Sequence, residues 1–288
     1  MPLGLGTSSR LEHATVQAVA PAVVAARAYV QEQPVAHLDE TGWREGRARA
    51  WLWTAVTAWV TVFVVRTSRG AKVAKELLGP SFWGILVTDR WSAYTWYATK
   101  WRQVCWAHLL RDFEAMVERG GRSAEIGEAL RSQARQMFHW WHRVRDGTLT
   151  HARFRVYMRP VQREVERLLA AGQTCGVAAT AGTCRKILTV REALWTFVRV
   201  TGVEPTNNAA ERAIRPGVLW RKGSFGTHSA DGSRFAEAMM TVGATLKQQQ
   251  RPVLAYMTAA CEAALSGDPP PSLLPTPADL EQLMRQAA

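Results

Sequence analysis

A chain of 288 residues is long enough for one large domain or two modest ones, each with a full hydrophobic core. Apolar residues make up 47% and charged residues 21%, which excludes a disordered polymer, and four cysteines are too few for a disulfide scaffold. Lys and Arg outnumber Asp and Glu by 36 to 24, and the net charge of +12 favours a polyanionic partner over a merely basic surface.

In chain order, residues 11–32 read as a helix broken at Pro21, a lead-in that ends near residue 33. VAHLDE at 35–40 reads as a strand, and the Gly42 and Gly46 region as a polar turn. AWLWTAVTA at 50–58 and WVTVFVVRT at 59–67 are rich in Val, Thr, Trp and Phe, as strands are. The apolar run at 50–65 is interrupted by Thr and stops at Arg66, so it does not read as a membrane span. No N-terminal stretch has signal-peptide form, and a reduced, cytoplasmic protein with no membrane partner is expected. Gly70 opens a short helix that Gly79-Pro80 closes, and GILVTD at 84–89 reads as a strand buried on both faces. SAYTWYA reads as a short helix and RQVCWAH as a further strand. Together these predict an α/β fold, a mixed sheet flanked by helices whose first three strands form a meander, with the first part of the core at 34–106.

From 107 to 203 the periodicity turns helical, with helices in HLLRDFEAMVE, AEIGEALRSQARQMFHWWHRVR, HARFRVYMRPVQREVERLLAA and RKILTVREALWTFVRV. This block reads as an all-helical insertion. Within it, residues 131–167 carry nine Arg against one Asp and two Glu, either a DNA-backbone contact or solvated helix faces. The last part of the core, 204–265, holds the helix NNAAERAIR, the glycine-punctuated basic stretch RKGSFGTHSADGS and helices at roughly 233–250 and 252–265. The tail, 266–288, has five prolines between 266 and 277 and reads as an extended linker.

Three acids stand out. Asp39 and Asp89 each follow an apolar strand-like run, where a carboxylate is costly without a partner, and Glu211 sits near a helix start. Singly, each has an ordinary role: Asp39 capping a turn, Asp89 capping the next helix, Glu211 completing an Asn208-x-x-Glu211 capping box. Jointly, they suit a pair of divalent metals that clamp the attacking and leaving oxygens of a phosphodiester. Hard oxygen ligands favour Mg²⁺ or Mn²⁺.

HLDETGW, ILVTDRWSAY, QVCWAHLLRDF and EPTNNAAERAIRPGVLWRKGSFGTHSADGSRF together resemble the signature blocks of the insertion sequence 66 transposase family, over roughly residues 35–265. That resemblance implies a DDE transposase with a ribonuclease-H-like core. Its acidic triad falls on Asp39, Asp89 and Glu211, with the helical insertion lying within the 122-residue spacing of the second and third acids. It implies two Mg²⁺ ions, nicking at an element end, and attack of the freed 3′ hydroxyl on target DNA. The expected partners are element ends and target DNA, a second copy of the chain on DNA, and accessory proteins of the same element. Family members usually carry an N-terminal DNA-recognition region with a cysteine-rich zinc motif. This chain has no CxxC pair, so it is expected to lack that region.

Beside the triad, Arg212, Arg215, Arg221 and Lys222 are candidate DNA contacts, or a solvated charged loop. Gly223, Gly226 and Gly232 would let backbone approach phosphate. Asn207 and Asn208 either orient the helix start or bond to DNA. Cys105-x-x-His108 has metal-ligand spacing, but a zinc site needs two more ligands, and Cys175 and Cys184 are spaced loosely for one. Zinc is therefore not expected, and Cys105 and His108 read as a buried apolar group and a hydrogen-bonding group near the site. Trp101, Trp140 and Trp141 could stack on an unpaired base, with core packing the alternative. Two rival readings stay open: another ribonuclease-H-like nuclease or integrase, and an inactive DNA-binding remnant.

Overall fold

The computed structural model describes residues 4–276. In chain order the elements are α1 (Leu5–Gln31), β1 (Val35–Glu45), β2 (Ala48–Val56), β3 (Thr61–Arg66), α2 (Ala71–Leu78), β4 (Ile85–Thr88), β5 (Arg102–Val104), α3 (Trp106–Glu118), α4 (Gly121–Arg145), α5 (His151–Gly172), α6 (Ala178–Leu188), α7 (Thr196–Arg199), α8 (Asn208–Ser224), α9 (Ala230–Gln248) and α10 (Val253–Ser266). The fold is mixed α/β, and the chain divides into two compact units. One comprises residues up to Gly84, Ser92–Tyr94 and residues from Asn208 onward; the other comprises Ile85–Trp91 and Thr95–Asn207. In this division β4 and β5 go with the helical block.

In the first unit, β1, β2 and β3 form an antiparallel meander. The first strand runs on to Glu45, so Gly42 lies inside it and only Gly46 turns. Gly46 has φ of 57° at the first central position of a two-residue loop, which glycine adopts without strain. One face of the meander carries Trp43, Ala50, Leu52, Phe63 and Val65, which pack with Ile214 of α8 and Ala236 of α9. Opposed residues share a face, and alternate residues change face.

The outer edge of β3 is closed by side chains of α9. Thr61, Phe63 and Val65 donate their N–H groups to Thr245 Oγ1 (3.2 Å), Thr241 Oγ1 (3.0 Å) and Glu237 Oε1 (2.7 Å). Alternate strand residues thus meet every fourth helix residue. An exposed strand edge is a pairing hazard, and this ladder removes it. Glu237 is buried and also accepts from Arg66 (2.9 Å) and Arg27 (3.1 Å).

The second unit holds the short parallel pair β4–β5 and the helices α3 to α7. Its core is aromatic: Trp106 packs on Trp195 at 4.9 Å, and Trp141 on Phe154 and Phe197. This packing overrides the single helix expected over 185–200. The chain is helical over Ala178–Leu188, then forms a 3-10 turn at Arg191–Leu194 and the four-residue α7. Side chains compensate the interrupted ladder: Trp106 Nε1 donates to Leu194 O (2.8 Å), and Gln103 Oε1 accepts from Phe197 N (2.9 Å). Trp140 and Trp141 are half-buried, with Trp140 against Tyr157, so packing occupies both. Several of the Arg on α4 and α5 form exposed ion pairs, such as Arg131 with Glu114 and Glu128. Burial pushes the Cys184 thiol up to about 11.

Other expectations require correction. Pro21 and Pro216 lie inside continuous helices, as Pro160 does in the helix expected there. A proline removes one backbone bond, and burial of the flanking apolar residues compensates. SAYTWYA forms only a 3-10 turn at Ser92–Tyr94. The first part of the tail is docked rather than a free linker. Leu273 is fully buried, Tyr256 Oη donates to Pro271 O (2.8 Å), and Gln249 Nε2 donates to Leu273 O (2.9 Å). Residues 277–288 lie outside the described residues.

Two substitutions test this packing. A Cβ at Gly217 would sit 2.3 Å from Leu52 Cδ2. Gly217→Ala is expected to lower unfolding free energy by about 1–3 kcal/mol. Combined with Leu52→Ala it should cost less than the sum of the two single changes in a double-mutant cycle. Thr241→Val keeps the shape but leaves the Phe63 N–H unsatisfied, with an expected loss of about 1–3 kcal/mol in urea denaturation. Additive energies in the first case, or wild-type stability in the second, would contradict the packing described.

Candidate functional site

Asp39 and Glu40 are neighbours on β1 and therefore face opposite sides of the meander. Glu40 lies opposite Trp53. Its side chain is 2% exposed and accepts from Arg69 Nε (2.9 Å) and Tyr94 Oη (2.6 Å). Tyr94 in turn packs edge-on against Trp53. Glu40 is therefore a structural carboxylate, a role that its place in HLDETGW does not reveal. Asp39 lies opposite Thr54, which lies opposite Phe63, so it shares the face of Trp43 and Leu52 that α8 covers. It is half-buried, and its Oδ1 accepts from the Glu40 N–H at 2.9 Å.

The packing of α8 sets its direction against β1. Gly217 meets Leu52, the residue opposite Thr41. One turn later, Arg221 donates to Gly42 O (3.0 Å). Beyond the helix, Thr227 forms a parallel bridge with Glu45, and Trp43 Nε1 donates to Thr227 Oγ1 (3.2 Å). Helix and strand thus ascend together. Glu211 stands in the first turn of α8, half-buried, six residues before Gly217. Arg212, Arg215 and Lys222 are exposed along the outer face, with Leu219 between them. Asn208 opens the helix.

The glycine-punctuated stretch after Glu211 differs from expectation. Arg221, Lys222 and Gly223 are helical, because α8 continues through Pro216 to Ser224. Gly226, at φ of 122°, approaches protein backbone: a Cβ there would lie 2.3 Å from Arg44 O. Gly232 donates its N–H to the α9 N-cap Ser229 (3.1 Å).

In the second unit, β4 is buried throughout, and Asp89 follows it directly. Asp89 Oδ1 accepts from Trp91 N (2.8 Å), so part of its role is to cap the local turn. Its carbonyl accepts from the buried Arg102 (3.3 Å). Arg90 pairs with Asp112. Cys105 is buried at the N-cap of α3, and its sulfur accepts from Asn207 N (3.1 Å). Cys105 Sγ and a ring nitrogen of His108 lie within 4.8 Å. Cys184 packs against Gly172 between α5 and α6. Of the sequence candidates, Asp39, Asn208, Glu211, Arg212, Arg215, Arg221 and Lys222 belong to the first unit, and Asp89, Cys105, His108 and Asn207 to the second.

Three further cations lie in what the sequence presents as a mere polar turn. Arg44, Arg47 and Arg49 crowd the tip of the β1–β2 hairpin, beside Arg221 and Lys222. The charge density of the run WREGRAR is the one local signal of this cluster. No helix among the described residues is long and apolar enough to cross a membrane.

Among curated proteins, the chain is similar to the uncharacterized protein y4qI of Sinorhizobium fredii, 29% identical over 228 residues. That alignment covers 69% of this chain, and the chain spans only 41% of the relative. No solved structure matches. A family model described as Transposase IS66 family matches residues 3–235. With the match extending over most of its length, the chain belongs to the transposase IS66 family.

Proposed function

We propose that the chain cleaves and joins DNA strands through a divalent-metal site formed by Asp39, Asp89 and Glu211, on a ribonuclease-H-like core interrupted by the helical block 107–203. The observation that carries this reading is the register of α8 on β1. Six residues back from Gly217 is about 9 Å of helix. That equals about three strand residues, which carries Glu211 from the level of Thr41 towards that of Asp39. Asp39 belongs to the face that α8 covers. Two half-buried carboxylates on facing elements of one unit favour a cation between them. Asp89, at the end of a fully buried strand, enters the set through the family resemblance.

The donors are all carboxylate oxygens, which fits Mg²⁺ or Mn²⁺. When bound, two such ions supply an activated oxygen nucleophile and stabilisation of the leaving oxygen. The chain's own part is to hold the ligands still. The sheet fixes Asp39, with the Glu40 N–H on its Oδ1, and the tight Gly217 contact fixes the helix bearing Glu211. Arg212 and Arg215, exposed beside Glu211, would bind phosphates flanking the scissile bond, with Asn207 and Asn208 at the helix start. The freed 3′ hydroxyl then attacks target DNA, so no protein nucleophile is required. Two copies of the chain on two element ends complete the reaction.

Asp39→Asn and Glu211→Gln are expected to lower Mg²⁺-dependent nicking of end-labelled DNA by about 10²-fold or more. A pre-cut 3′ end should be joined to a second duplex, which a simple nuclease would not do. Wild-type rates in Asp39→Asn would end the proposal. Glu40→Gln should instead lose about 1.5–3 kcal/mol of stability while retaining the metal dependence of cleavage. Thermal melts and metal titrations of the same preparation separate the two adjacent acids.

A further inference from the structure

The tip of the β1–β2 hairpin and the end of α8 enclose a hollow of about 690 Å³ that the proposed chemistry does not use. Five cations line it, Arg44, Arg47, Arg49, Arg221 and Lys222, with Phe225 at its side and no carboxylate among the lining residues.

Two features of this hollow work against folding. Arg44 and Arg49 are direct cross-strand partners, and like charges directly opposed in an antiparallel pair repel. Phe225 follows α8 with φ of 62°, a left-handed position at a helix end that glycine would occupy without strain. Its ring is 73% exposed, so burial does not compensate for the backbone. Gly42 leaves room for another cation: a Cβ there would lie 3.0 Å from Arg221 Nη1. Arg49 is stacked over Trp51 at 4.9 Å, which holds its guanidinium in place. Arg221 and Arg49 have partners, but the opposed arginine pair and the exposed, strained Phe225 are local costs to the fold. Such outliers point to a ligand.

We propose that the hollow binds a single strand of DNA, with backbone phosphates among the five cations and an unstacked base against Phe225. Arginine and lysine in a shared concavity suit consecutive phosphates. An aromatic ring at the side suits a base face of any sequence. None of the three carboxylates lines the hollow, and its assignment to DNA rests on the proposed function.

The test measures affinity of the full chain for a labelled single strand, and for its duplex, across salt concentrations in EDTA. Arg47→Gln/Arg49→Gln/Lys222→Gln should weaken single-strand binding by about 10- to 100-fold at low salt. It should also reduce the slope of log K on log salt by about 2, at roughly 0.7 per phosphate contact. Phe225→Gly should melt no lower than wild type, because glycine suits the backbone, yet lose about tenfold in single-strand affinity. Competition by inorganic phosphate at matched ionic strength separates a free-anion site from a DNA site, and DNA displaced as readily by phosphate as by unlabelled strand would overturn the proposal. So would an unchanged salt slope in the triple variant, or unchanged affinity in Phe225→Gly. Because binding is read without metal, absent cleavage would defeat the catalytic reading alone, and an unchanged slope would defeat this one alone.

Discussion

The close seating of α8 on the meander is the contact on which the first unit depends. Glycine at position 217 permits it, because a Cβ there would lie 2.3 Å from Leu52 Cδ2 and force a shift. With that contact made, Ile214 and Trp220 reach the apolar face around Trp43, and Arg221 meets the Gly42 carbonyl. The following segment then adds Thr227 beside Glu45. A single close approach therefore sets the height of Glu211 and the position of the basic helix end together. Displacing it would disturb both.

Two buried carboxylates, Glu237 and Glu40, are each matched by hydrogen bonds. Glu237 closes a strand edge and accepts from two arginines, so its burial is matched by hydrogen bonds. Glu40 is treated likewise by Arg69 and Tyr94. Asp39, one residue away, faces the helix that bears Glu211. Strand alternation alone separates a structural acid from a candidate metal ligand, since adjacent side chains cannot share a face.

The hairpin tip follows the opposite logic. Its arginines are crowded together, and the residue at the helix end is an aromatic in a glycine conformation. Natural sequences depart from local preference mainly where a ligand restores the balance. The molecule thus combines one face of matched charge, which maintains the fold, with one of unmatched charge, which suits a polyanion.

Much of the fold is legible in the chain. The runs at 48–56, 61–66 and 85–88 are dominated by β-branched and apolar residues, and the long helices show three- and four-residue apolar spacing; both are local properties. Asp39 and Asp89 stand out as candidates because carboxylates after apolar runs are costly, whereas Glu211 is singled out by its place in the family's signature block. Helix limits are not legible. Pro21 and Pro216 look like stops, but burial of neighbouring side chains carries the helix through them. The break after Leu188 and the docking of Leu273 also depend on partners distant in sequence. Which of Asp39 and Glu40 faces α8, and that Arg44 opposes Arg49, are properties of strand register. The sequence by itself determined most of the strands and long helices, the family and a set of candidate acids. Only the tertiary structure decided the faces and neighbours of those residues, because register and helix seating come from contacts between segments far apart in the chain.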